Sequence, residues 1–75
     1  MYGIKRGNTI LGYSHGVKVF LPVQIVRNPV IIYSAIEADN LLQLIMSGTN
    51  DYTLMVHKFS DEELEQFTFN KLSGY

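Results

Sequence analysis

The sequence predicts an α+β domain, a small antiparallel sheet with two helices packed on one of its faces, in the order β-β-β-β-α-β-α. Three observations predict it. Apolar residues alternate with a period of two along residues 2–13 and 17–26. Tight-turn signals at Gly7-Asn8 and Ser14-His15-Gly16 separate the first strands. Two Ser-x-x-Glu boxes, Ser34–Glu37 and Ser60–Glu63, open stretches of helical apolar spacing.

The first element is a hairpin. With Gly7-Asn8 as a two-residue loop, Arg6 faces Thr9, Ile4 faces Leu11 and Tyr2 faces Tyr13. Tyr2, Ile4, Leu11 and Tyr13 then share one side, while Gly3, Lys5, Ile10 and Gly12 share the other. A phosphate-gripping reading of these glycines needs a helix to begin after them. Nothing helical follows Gly12, so the glycines serve a turn.

Val17–Val26 reads as a long third strand, with Val17, Val19, Leu21, Val23 and Ile25 on one face and Lys18, Phe20, Gln24 and Val26 on the other. Pro22 has no amide to donate, which places this strand at an edge, bulges it or breaks it. Arg27-Asn28-Pro29 is a turn into a short fourth strand, Val30–Tyr33. Ser34 caps the first helix, whose Ala35, Ala38, Leu41, Leu42 and Ile45 form the apolar stripe, and Gly48 stops it. After a turn at Thr49-Asn50-Asp51, Tyr52–Phe59 is the fifth strand. Ser60 and Glu63 form a second capping box, with Phe59 and Leu64 as its hydrophobic staple. Leu64, Phe67 and Leu72 supply the stripe of the second helix.

Seventy-five residues form one domain, 1–75, near the lower limit for a self-sufficient core. Apolar residues are 47% of the chain and charged residues 17%, which excludes disorder. The apolar surplus for so small a chain suggests a homo-oligomer. The lack of cysteine excludes disulfides and thiolate metal sites, and suits a reducing compartment. No apolar run approaches the ~20 residues of a membrane span, and the N-terminus has no signal-peptide layout, so a cytoplasmic protein with no membrane partner is expected.

Net charge is −1, but it is unevenly distributed. Residues 1–36 hold Lys5, Arg6, Lys18 and Arg27 and no acid; residues 37–75 hold Lys58 and Lys71 against seven acids. Catalytic patterns are lacking: His15 and His57 have no HxH or HExxH spacing, and no serine or threonine occupies a nucleophile elbow. The acids from Asp61 to Glu65 are explained by the dipole of a first helical turn rather than by a cation. The sequence therefore assigns no catalytic residue, metal or cofactor. It does offer a basic and aromatic set, Lys5, Arg6, Tyr13, His15, Lys18 and Arg27, as binding residues. Asp61, Glu62 and Glu65 form the alternative partner surface. Nucleic-acid binding through these cations, with Tyr2, Tyr13, Phe20 or Tyr33 stacking, ranks below protein binding, because the net charge is negative and no recognition motif is present.

The hairpin "YGIKRGNTILGY", the long strand after it and the capped helix "SAIEADNLLQLI" together resemble the small accessory proteins carried by bacteriophages. That resemblance implies a host-takeover or anti-defence role in the host cytoplasm: neutralising a host enzyme or immune system by occupying a protein surface or sequestering a signalling nucleotide. It transfers no site residues. Two functions are expected from the sequence. The first is a non-enzymatic inhibitor or adaptor of a host protein. The alternative is a homo-oligomeric binder of a nucleotide signal, its phosphates held by Lys5, Arg6, Lys18 or Arg27.

Overall fold

The computed structural model describes residues 1–49, 51 and 53–73. The elements are β1 (Tyr2–Arg6), β2 (Thr9–Ser14), β3 (Val17–Pro22), β4 (Asn28–Pro29), α1 (Ala35–Met46), β5 (Leu54–Lys58) and α2 (Asp61–Leu72). Class and order are those expected, an antiparallel α+β fold. The sheet runs β3-β2-β1-β5, with β4 also paired to β2.

Gly7 makes the first bend with φ 59°, the positive value that the first central residue of a type II′ turn requires. Arg6 pairs with Thr9 and Lys5 with Ile10, which is the expected register. Further along, the two arms part, and the expected pairings of Ile4 with Leu11 and Tyr2 with Tyr13 do not form. Tyr13 pairs instead with Asn28, and Gly12 with Pro29. Tyr2 exchanges backbone bonds of 2.7 and 2.8 Å with Ile32, and the Val30 amide donates to the Leu11 carbonyl at 3.0 Å. The stretch 28–32 is thus bonded to both arms. Asn28–Pro29, expected as a turn, is the fourth strand, and Val30–Tyr33 contributes only the bridge at Ile32. Gly12 permits the approach, because a Cβ there would sit 3.1 Å from the Asn28 carbonyl oxygen and 3.2 Å from Val26.

The third strand is shorter than its alternation suggests. It stops at Pro22, whose carbonyl accepts from the amides of Ile25 and Val26 at 3.0 and 3.2 Å and closes a turn. Its position at the sheet edge agrees with the missing proline donor.

The helices do not share a face. Successive strand side chains point to opposite sides, and Ile4 packs with Leu11, Val30 and Leu54 under Leu41, Leu42 and Ile45 of α1. A Cβ on the adjacent Gly3 would instead run into the Phe59 ring. Phe59 belongs to the other core, with Ile10, Val26 and Phe67 under α2. The cause is visible in β2, where the neighbours Ile10 and Leu11 are 0% and 4% exposed. Both faces of that strand are apolar, so each needs its own helix.

Ser34 Oγ accepts the Glu37 amide and caps α1. Ala38, Leu41, Leu42 and Ile45 face the core as expected, whereas Ala35 stays exposed. The second capping box is complete: the Glu63 amide donates to Ser60 Oγ at 3.2 Å and the Ser60 amide to Glu63 Oε1 at 2.9 Å. Phe59 and Leu64 pack in the same cluster, as the staple predicts. Leu72 does not join the stripe; it is 82% exposed. It lies about 140° around the helix from Phe67. Asn70 takes the inward position, with Nδ2 donating to the carbonyls of Val23 and Val26 and Oδ1 accepting from Gln66 Nε2. The expectations for Asn50, in the turn, and Tyr52, at the start of the fifth strand, fall outside the described residues. Among those described, no helix is long and apolar enough to cross a membrane.

Candidate functional site

The β2–β3 hairpin closes through His15 and Gly16, with φ 52° and 79°. Positive φ at both central residues defines a type I′ turn, which matches the twist of the flanking strands. Because Ser14 pairs with Val17, this turn projects His15 at the tip of the sheet. The turn after Pro22 then reverses the chain, and β4 runs back beside β2. Arg27 is thereby carried to the same end of the fold. Tyr13, His15 and Arg27 line a cleft of about 460 Å³, with Leu21 and Ile25 as its apolar members.

The basic set read from the sequence therefore divides. Tyr13, His15 and Arg27 come together, and Lys18 pairs in register with Tyr13 on the exposed edge strand but outside the cleft lining. Lys5 and Arg6 lie at the opposite end of the hairpin. Lys5 is half-buried on β1, in register with Ile10 and Met55. Arg6 is used by the fold itself: its guanidinium lies 5.1 Å from the Phe20 ring centroid, and its Nε is 3.6 Å from Asp51. The Thr53 hydroxyl and amide, with Arg6 behind them, hold the Asp51 carboxyl below its ordinary value.

A second cleft, of about 430 Å³, adjoins the first. Pro29, Ile31, Leu64 and Phe67 give it an apolar lining, with Arg27 and Lys71 as its cations. Arg27 and Asn28 belong to both clefts. None of the chain's seven acids lines either one.

The alternative acidic surface is the start of α2, where Asp61, Glu62 and Glu65 are exposed. Among the described residues, no group of three or more metal-binding side chains gathers. Glu63 turns inward. His57 Nε2 lies 2.8 and 2.9 Å from its two carboxylate oxygens, and the His57 ring stands edge-on to Phe59 with centroids 5.6 Å apart. The sequence pattern marks His57 only as a residue of the fifth strand. The signal for the pair was its placement three residues before the capping serine, in reach of the box glutamate.

No family model, curated protein or solved structure matches the chain. The site therefore stands on its own chemistry. Its chemistry is a cleft with apolar walls, a histidine and an arginine, beside a second cleft with a larger apolar wall.

Proposed function

We propose that the chain is a non-enzymatic binding protein that holds an acidic segment of a protein partner in its clefts, and thereby inhibits or adapts that partner. One observation carries this reading: two adjoining clefts present apolar walls with His15, Arg27 and Lys71, and among the described residues no acidic side chain lines either. Such a surface creates a local positive potential on a molecule whose net charge is −1. The His57–Glu63 pair has the distances of an acid–base dyad, but neither residue lines a cleft, and the carboxylate also serves the helix cap. The host-directed, cytoplasmic role rests on the phage resemblance and the lack of cysteine.

The test is a fluorescence-anisotropy titration with Glu-rich and Lys-rich peptides of equal length. Acidic peptides are expected to bind, with Arg27→Glu weakening them about tenfold or more. Equal binding of both peptide types, or indifference to that substitution, overturns the reading.

The first cleft alone favours a second reading. Its volume suits a small ligand, and tyrosine with arginine is a pairing that stacks a base and holds a phosphate. A homo-oligomeric nucleotide binder is the alternative. A nucleotide at about 100 times its dissociation constant stabilises the fold by ~2.7 kcal/mol, readable as a shift in Tm.

A further inference from the structure

The second cleft differs in chemistry from the first. Its wall is set by the core: Phe67 is 4% exposed and packs edge-on to Phe59 with centroids 5.3 Å apart. One turn further along α2, Asn70 ties the helix to the carbonyls of Val23 and Val26. The cleft is thus preformed rather than a gap between loose elements. At its edge Tyr33 remains 75% exposed, a large aromatic beside an apolar wall. Aromatic residues in that position supply contact area at little entropic cost.

We infer that this second cleft is the anchor site for one apolar side chain, leucine- or phenylalanine-sized, carried by the acidic partner segment. The recognised motif is then an acidic pair joined to a hydrophobic residue. The inference rests on the reading above and deepens it. Arg27 and Asn28 line both clefts, so a segment whose acids sit near His15 and Arg27 runs directly onto Ile31, Leu64 and Phe67. The wall between the two ends is the stretch from Arg27 to Tyr33. At roughly 3.3 Å per residue it spans at most about 20 Å, which limits the spacing of acid and anchor to about six residues. Charge complementarity selects an acidic segment. The acidic first turns of α2 do not supply it from a second copy, because Leu64, their apolar member, is packed in its own core.

The experiment uses synthetic peptides in which an Asp-Glu pair is followed by a single Leu or Phe in a Gly-Ser background, at every spacing up to about seven residues. Matched peptides carry Ser in place of the anchor. At one preferred spacing the anchor is expected to tighten binding about tenfold or more. Thr68→Trp, which fills the cleft from an exposed helix position, is expected to abolish that gain. Tyr33→Ala is a second variant, expected to reduce the gain, and it alters only an exposed side chain. An anchor worth less than about twofold at every spacing, or a gain that survives both variants, overturns the inference while acidic binding stands. Anchor peptides that bind equally well without the acidic pair overturn the proposed function instead. Sedimentation showing a dimer that the peptides do not dissociate assigns the cleft to a second copy and also overturns the inference.

Discussion

Glu63 accepts the Ser60 amide at 2.9 Å while its two carboxylate oxygens lie 2.8 and 2.9 Å from His57 Nε2, so one side chain joins the last residues of β5 to the start of α2. Burial pushes the Glu63 carboxyl up, but the Ser60 amide and His57 together outweigh it and hold the group below its ordinary 4.5. A folded value below the unfolded one stabilises the protein above the unfolded pKa, and the contribution is lost as pH falls through the folded value. Urea midpoints are therefore expected to drop as pH falls below about 4.5, and Glu63→Gln to flatten that drop. Asp51 is shifted in the same direction, so some slope remains. An unchanged acid profile in Glu63→Gln rules out this role.

Gly3 marks the contact between β1 and the α2 layer. A Cβ there would overlap Cζ of Phe59 and come within 2.9 Å of Cε2. Gly3→Ala is expected to cost about 1–3 kcal/mol by overpacking. Combining it with Phe59→Leu should cost less than the sum of the two, since the smaller side chain vacates the colliding volume. Additive losses in denaturant unfolding would place the cost in the backbone of β1 instead.

Asn70 is the polar tie of the second core, 1% exposed and fully bonded. Asn70→Ala leaves the Val23 and Val26 carbonyls without their donor and is expected to destabilise by about 1–3 kcal/mol. Asn70→Asp is expected to cost more, because a carboxylate would face two carbonyl oxygens that it cannot bond. If Asp is tolerated as well as Ala, the turn after Pro22 has another support.

These residues also show why the sequence was only partly legible. Gly7-Asn8, Ser34 and the Ser60–Glu63 box act over three or four positions, so their turn and caps follow from local chemistry. The side on which each helix packs is not local. It depends on Ile10 and Leu11 both being buried, whereas the alternating pattern was read as one inner face. The path of residues 28–32 between the arms of the hairpin depends on Gly12 accepting a close backbone, which no neighbouring residue announces. The sequence names Tyr13, His15 and Arg27, which share one cleft, together with Arg6, which lies at the other end of the hairpin against Phe20 and Asp51. The apolar second cleft was invisible because its wall comes from β4, the stretch after it and α2 at once.

His15 ties stability to binding. It holds φ 52° beside Gly16 at 79°. A residue with a Cβ pays roughly 1–2 kcal/mol in the left-handed region, less for His, Asn and Asp, which are enriched there. A Cβ on Gly16 would meet nothing within 4 Å, so the loss expected from Gly16→Ala, about 1–2 kcal/mol, is purely conformational. Asparagine is the better residue for the first position of this turn. His15→Asn is therefore expected to raise stability by a few tenths of a kcal/mol to about 1. It also removes a ring nitrogen from the cleft wall that holds Tyr13 and Arg27. The same variant should bind acidic peptides more weakly, because a side chain that can carry positive charge is replaced by a neutral amide. A variant that is more stable and binds equally well would make His15 a tolerated turn residue, leaving Arg27 and Lys71 as the cations of the two clefts.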